Sequence, residues 1–446
     1  MEDRRRVGSA VKTPIRPGPL RTKLFAFIEF VLTSREVEWM IEMEKEVSAM
    51  RRPVKRAGFF AGLCCVSWVL ASDHHRGPPT PDTPESLLVR TLDAIRAERL
   101  DLALARSDTL VRRQPDFKLA QLVRGDILLA QSGRLDHFAG PRSTDPRAGG
   151  LRDEARARLR RYVQDPPKDL IPRNLILPPT DATAVLVVDS RASRLYVFRQ
   201  ENGAWKLTGD HYVSIGLNGT DKQVEGDQRT PLGVYTLVSR ITRVDPYYGK
   251  VAYPLNYPNE WDDRQGRHGH GIWIHGTPLD TYSRPPRTSN GCVVLPNQDL
   301  EALEPLFQTG KTRVVVADSI DWIPVAQLDS IRQSVQKSVD SWVSDWATND
   351  MDRYLSHYSD EFRSGAQDLQ GWEKDKRRVS KGKSWIKVNL EGLSIMMVPG
   401  QKNLAVVDFQ QNYESNNLSN HMRKRQYWKL EDGSWRIVFE GEPKAG

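Results

Sequence analysis

The chain is 446 residues long, 39% hydrophobic and 27% charged, with a formal net charge of +8. That length exceeds one ordinary core and predicts two or three domains, while the composition excludes a disordered chain and a membrane bundle. The positive residues are scattered rather than gathered into an arm, so charge does not favour nucleic acid and suits an acidic polymer or an anionic surface.

The first element in chain order begins at Met50. Arg51, Arg52, Lys55 and Arg56 precede an uncharged run from Ala57 to Ala71, which ends in a Val69-Leu70-Ala71 cleavage site. The run is short of the roughly 20 residues a spanning helix needs. Residues 50–71 therefore read as a signal peptide cleaved near Ala71-Ser72, which makes the mature protein periplasmic and residues 1–49 a non-native or dispensable extension. An uncleaved anchor or a buried helix is the competing reading, and Leu63 before Cys64 argues against a lipoprotein site. Cleavage removes Cys64 and Cys65 and leaves Cys292 as a lone thiol, which cannot form an intramolecular disulfide.

Residues 72–84 are a Pro-rich linker, and residues 85–180 form a small helical module. Leu87, Leu88, Leu92, Ile95, Leu100, Leu102 and Leu104 recur at helical spacing, and a second helix runs from Phe117 to Ala130. The pair looks like a helix hairpin of the tetratricopeptide kind. A break at Pro141–Gly150 precedes a charged helix from Leu151 to Val163, and Pro178-Pro179 closes the segment. This module suits packing or partners, including a homodimer contact, better than chemistry.

Residues 181–320 are β-rich. Val185–Val188 and Leu195–Phe198 make a hairpin pattern across Asp189-Ser190-Arg191, and short strands follow at His211–Ile215, Gly233–Val238, Gly271–His275 and Arg313–Val316. The stretch has the scale of one independent fold. Residues 325–446 change pattern again: a long helix carries Val335, Val339, Trp342 and Trp346 on one stripe and leads to Tyr354, Tyr358 and Phe362. Four strands follow, from Trp385, Asn403, His421 and Trp435, the last two joined across Glu431-Asp432-Gly433. Helices ahead of a curved antiparallel sheet make an α+β domain. Both candidate chemical motifs lie upstream of Pro324, so this last domain reads as an accessory whose truncation would leave the chemistry in place and alter binding.

The chemistry concentrates in two places. His275 stands at the mouth of a strand, followed by Gly276-Thr277, and Ser289-Asn290-Gly291-Cys292 lies a short loop further on. A lone cysteine is commonly a small buried hydrophobe. Acyl transfer, however, needs a thiolate, a base to form it and donors for the oxyanion. The residues supply Cys292 as nucleophile, His275 as base, and backbone N–H groups around Gly291 and Cys292 as oxyanion donors, with the imidazole lowering the thiol pKa. Tyr282, Arg284 and Arg287 occupy the intervening loop and read as a lid, with a solvated loop as the alternative. His268, His270 and His275 resemble a metal cluster, but no carboxylate or thiol completes the set, so neither metal nor cofactor is expected.

His275-Gly276-Thr277 followed by Ser289-x-Gly291-Cys292, with Glu225-Gly226-Asp227-Gln228-Arg229-Thr230-Pro231-Leu232-Gly233-Val234-Tyr235 upstream, resembles the L,D-transpeptidase family over about Ala182 to Val316. The resemblance implies a mainly β catalytic fold and an acyl-enzyme formed at the diaminopimelate–D-alanine bond of peptidoglycan stem peptides. It further implies catalytic roles for Cys292 and His275, orientation of the histidine by the Gly276 carbonyl, and a site lined by Ser289 and Gly291. Thr277, Asn290 and the loop residues Tyr282, Arg284 and Arg287 are the candidate substrate contacts beside them. Two departures stand out: Asn290 replaces a frequent His, and Val294 replaces an Arg that helps hold the loop or substrate. The C-terminal domain looks like a nuclear transport factor-like cone with a ligand or partner of its own. The three-domain order resembles the helical-cell-shape L,D-carboxypeptidases, which trim tetrapeptide stems. Water or a second stem's amine would resolve the acyl-enzyme, and a wall-binding scaffold that keeps the fold is the alternative class.

Overall fold

The computed structural model describes residues 83–132, 146–163 and 169–444, so the segments expected at 1–49 and 50–71, and the linker up to residue 82, fall outside the described residues. The chain divides into two compact units between Arg156 and Ala157.

The first unit holds α1 (Pro84–Arg96), α2 (Leu100–Arg113) and α3 (Lys118–Gln131). Thr83 caps α1 by accepting the Ser86 N–H at 3.1 Å, and Pro84 fills the first turn, where a missing N–H costs nothing. The expected continuous helix through Leu104 is divided at Ala97–Arg99. Glu98 takes a left-handed φ of 59° there, which stops α1 and restarts the chain as α2. Each helix then buries its own stripe: Leu88, Leu92 and Ile95, then Ala103 and Leu110, then Leu119, Val123 and Ile127. The helix expected from Leu151 begins earlier, as α4 (Pro146–Val163), and it crosses the junction between the units.

In the second unit the strands are β1 (Leu170–Pro172), β2 (Ala184–Asp189), β3 (Arg194–Glu201), β4 (Ala204–Tyr212), β5 (Ile215–Gly216), β6 (Gly233–Thr236), β7 (Ala252–Pro254), β8 (Trp273–His275), β9 (Arg287–Ser289), β10 (Val293–Val294), β11 (Arg313–Ala317) and β12 (Trp322–Pro324). Helices α5 (Glu260–Arg264) and α6 (Asn297–Leu303) interrupt them. A five-stranded sheet runs in the order β4-β3-β2-β11-β6, and a three-stranded sheet runs β10-β8-β7. Side-chain alternation gives the five-stranded sheet two apolar faces. Leu186, Val188, Leu195, Tyr235, Val314 and Val316 join Ile274 and Val293 of the smaller sheet in one core. Val185, Val187, Tyr196, Phe198, Val234 and Val315 face the opposite way, into a second core.

That second core belongs equally to the C-terminal elements: α7 (Val325–Ala347), α8 (Met351–Ser356), β13 (Tyr358–Ser364), β14 (Gln367–Asp368), α9 (Leu369–Ser380), β15 (Ile386–Met397), β16 (Leu404–Ser415), β17 (Leu418–Glu431) and β18 (Ser434–Gly441). Their sheet has six strands in the order β14-β13-β18-β17-β16-β15, two more than expected, because Tyr358 and Phe362 lie on a strand parallel to β18. Trp342 of α7 is fully buried among Tyr354, Phe409 and Trp428, as its apolar stripe requires.

The expected boundaries shift where chain-distant contacts form. Residues 170–180 do not close the helical module. β1 pairs with β12, Leu177 bridges Ile395, and Asn174 Nδ2 donates to the Met397 carbonyl at 2.9 Å. The C-terminal domain, expected as an accessory, packs directly on the catalytic elements. Arg425 on β17 reaches Glu260 of α5 at 3.0 Å, Asp408 joins Arg425 to Arg313 of β11, and Trp261 stacks on Tyr427 at 5.0 Å.

Candidate active site

β8 and β10 lie parallel, with Val293 opposite Ile274 and Val294 opposite His275. Because Ile272, Ile274, Val293 and Leu295 fill the first core, alternation sends Trp273, His275, Cys292 and Val294 to the other face. The thiol and the imidazole therefore share one face.

The turn carrying Cys292 is built by its neighbours. Ser289 Oγ donates to the Cys292 carbonyl at 2.6 Å and accepts the Gly291 N–H at 3.1 Å. Gly291 has a φ of 123°, and a Cβ there would lie 2.7 Å from the Arg229 carbonyl, so only glycine fits. Arg229 lies within the upstream motif, whose organiser is Asp227. Burial works against its carboxylate. The Lys222 ammonium at 2.8 Å and the N–H groups of Gln223, Val224 and Arg229 outweigh that effect and lower its pKa to about 2. The upstream motif thus buttresses the back of the cysteine turn.

His275 Nδ1 lies 2.6 Å from the Gly276 carbonyl, which can only accept. Nδ1 therefore carries the proton, and Nε2 keeps its lone pair. Burial lowers the imidazole pKa to about 4. The Tyr248 ring packs edge-on against the imidazole at 4.9 Å, and the Tyr248 carbonyl accepts the Gly276 N–H at 3.1 Å. Asn297, at the start of α6, donates to the Thr277 carbonyl at 2.9 Å, and a Cβ on Gly276 would collide with its Oδ1. Cys292 is 7% exposed, its Sγ donates to the Gly271 carbonyl at 3.4 Å, and burial raises its pKa to about 11.

Two expectations are corrected here. The imidazole does not depress the thiol pKa, because an uncharged ring exerts no such field and burial then dominates both groups. Both shifts favour the uncharged forms, a thiol and a neutral imidazole. Gly291 is also not an available oxyanion donor, since its N–H is spent on Ser289.

The remaining residues divide. Thr277 is buried, its hydroxyl donating to the Tyr282 carbonyl at 3.4 Å and accepting from Asn297, so it shapes the loop rather than opening to substrate. Tyr282 is buried too, and the loop expected as a lid is bonded to the strands beneath it: the Tyr212 hydroxyl donates to the Arg284 carbonyl at 2.8 Å, and the Ile215 N–H to the Pro286 carbonyl at 2.8 Å. Arg284 Nη1 donates to the Tyr247 hydroxyl at 3.0 Å. Arg287 is exposed on β9, and exposed Asn290 accepts from Gln228 at 3.2 Å. His270 faces Glu225 on the surface at 3.5 Å, whereas His268 lies in the loop whose backbone meets Gln223 and Tyr257. The sequence did not single out Tyr248, Asn297 or Lys222, and only Gly249 directly after Tyr248 marked a turn there.

Residues 183–316 match the model of the L,D-transpeptidase catalytic domain, and residues 334–441 match that of the Cds6 C-terminal NTF2-like domain. Among solved structures, the chain is similar to Bd1075 of Bdellovibrio bacteriovorus, at 26% identity and a TM-score of 0.54 over 62% of this chain and 99% of that one. It is likewise similar to the helical cell shape determining protein Pgp2 of Campylobacter jejuni, at 27% identity and a TM-score of 0.53 over 63% of this chain and 96% of that one. No match was found among the curated proteins.

Proposed function

Since this chain carries an L,D-transpeptidase catalytic domain ahead of an NTF2-like domain, we propose that it is a periplasmic peptidoglycan-remodelling enzyme acting on tetrapeptide stems through Cys292. The observation that carries this reading is the shared face of Cys292 and His275, with the imidazole tautomer set so that Nε2 is the free base. Cys292 Sγ attacks the diaminopimelate carbonyl while its proton passes to His275. The tetrahedral oxyanion collapses as the imidazolium returns that proton to the departing D-alanine amine. The Cys292 N–H is the donor this turn offers the oxyanion once Gly291 is engaged. Water activated by His275 then hydrolyses the thioester and releases a tripeptide.

Hydrolysis is favoured over transfer by Val294. It stands on the reacting face as the ladder partner of His275 and supplies no charge with which to hold an amine acceptor. Incubating the chain lacking residues 1–71 with disaccharide tetrapeptide and weighing the products tests the reading: tripeptide is expected, and cross-linked dimer as the main product would overturn it. A second reading, a wall-binding scaffold, draws on the uncharged resting pair. It predicts muropeptide binding with no D-alanine released. Export is tested separately, by sequencing the secreted protein, whose N-terminus is expected at Ser72.

A further inference from the structure

Among the described residues, Arg284 is a cation whose charge reaches the reacting pair and whose role the cleavage chemistry leaves open. Its guanidinium lies over the Tyr247 ring, 4.2 Å from the centroid, and donates to the Tyr247 hydroxyl at 3.0 Å. Among the described residues it has no carboxylate partner. Tyr247 in turn packs on Tyr248 at 5.3 Å, and Tyr248 on His275 at 4.9 Å, so Arg284 caps an aromatic wall that ends at the base. Its charge is felt by both Cys292 and His275. A cation held in a fixed pose, unpaired, on the histidine side of a reacting thiol is a receptor for an anion on the leaving group.

We propose that Arg284, posed by Tyr247, binds the free α-carboxylate of the C-terminal residue and thereby restricts cleavage to the bond next to a free C-terminus. This rests on the hydrolytic reading above. The geometry of the reaction selects that carboxylate. His275 must protonate the leaving nitrogen, and the terminal carboxylate is joined to that nitrogen through a single Cα. The carboxylate therefore lies close to the imidazole, against which Tyr248 packs, and the Tyr248–Tyr247 wall carries Arg284 at its other end. With Val294 apolar beside His275, Arg284 also supplies a positive charge that the β10 position does not.

The test compares kcat/KM on disaccharide tetrapeptide, on its C-terminal carboxamide, and on the tetrapeptide with lysine replacing diaminopimelate. The wild type is expected to prefer the free acid to the amide by about ten- to a hundredfold, the range of a hydrogen bond to a charged group. Arg284→Gln should fall towards the amide's level on the acid and change much less on the amide, whereas Arg284→Lys should retain part of the preference. Tyr247→Phe, which leaves the guanidinium in place but unposed, should lose a smaller part, again only on the acid. Equal rates on acid and amide by the wild type, or an equal fall on both in Arg284→Gln, would overturn the inference. So would a loss that disappears with the lysine substrate, because the diaminopimelate carboxylate would then be the ligand. Turnover of none of the three would remove the hydrolytic reading itself, and this inference with it.

Discussion

Two groups of polar side chains are buried to the same depth in the second unit and end in opposite electrical states. His275 and Arg425 are each 1% exposed. Around His275 and Cys292 burial decides: the imidazole pKa drops to about 4, the thiol pKa rises to about 11, and both stay neutral. Around Arg425 pairing decides. Burial would raise the Asp408 carboxyl, but Arg425 at 2.7 Å and Arg313 at 3.0 Å lower its pKa to about 2. Glu260 takes the other side of the Arg425 guanidinium at 3.0 Å. The reacting pair lacks a full partner charge and so meets a substrate uncharged, whereas the interface cluster holds Asp408 as a carboxylate and fixes the cone to α5 and β11. A buried cluster of that kind adds little net stability, yet it is costly to break, because each remaining charge is left without a partner.

The comparison breaks most sharply if the chain is cut at Pro324. That truncation removes Asp408 and Arg425, strands Arg313 and Glu260, and strips the cover from Val185, Val187, Tyr196, Phe198 and Val315. We expect no soluble folded catalytic domain, and a monomeric truncation with a cooperative melt would show that the two cores are separable. Next in size is Cys292→Ala. Turnover should fall at least about a thousandfold while the melting temperature moves little, because a site-edge thiol contributes little packing. Arg425→Ala should do the reverse, losing about 3–5 kcal/mol in denaturant titration while the protein that remains folded keeps its kcat. A large fall in kcat in the folded fraction would tie the cluster to the chemistry.

A smaller effect separates neutral from charged resting states. With the thiol pKa near 11, alkylation of Cys292 by iodoacetamide should be slow at pH 7 and rise steadily towards pH 11. The acid limb of kcat/KM should fall near pH 4, where His275 becomes protonated and can no longer accept a proton. A thiol that alkylates equally fast at pH 6 and pH 9 would mean a preformed thiolate, and the resemblance between the two clusters would then be greater than their difference.

What the sequence made legible was local. The alternation of Ile272-Trp273-Ile274-His275 and Cys292-Val293-Val294-Leu295 assigns faces by itself, and the stripe of Val335, Val339 and Trp342 marks the buried side of α7. Gly276 and Gly291 stand in the motifs, but what requires glycine there does not, since Asn297 of α6 and Arg229 come from elsewhere in the chain. Nothing local announces that Arg425 reaches Glu260 across 165 positions, or that Leu170–Pro172 pairs with Trp322–Pro324. The thiol pKa was misjudged for a related reason. Proximity to a histidine is visible in a motif, but the burial that neutralises both partners is a property of the assembled core.

The smallest expected effect concerns stability against pH, and it distinguishes the two clusters by which limb they touch. Cys292 has a folded pKa of about 11 against an ordinary value of 9.0, so the unfolded chain loses the proton first. Its contribution is complete below pH 9 and is lost as pH rises through 11. His275, lowered to about 4 from 6.5, contributes fully above pH 6.5 and loses that contribution as pH falls through 4. Asp408, lowered to about 2 from 3.8, contributes fully above pH 3.8 and loses it as pH falls through 2. On the acid side, therefore, the active site gives way before the interface, and on the alkaline side the thiol adds a loss that Asp408 does not share. Denaturant titrations of the wild type and Cys292→Ala between pH 8 and 11 isolate that term, because both carry the same interface cluster. The wild type should lose stability relative to the variant as pH rises. A constant difference across that range would mean the folded thiol ionises at its ordinary pKa, and the neutral resting pair would have to be abandoned.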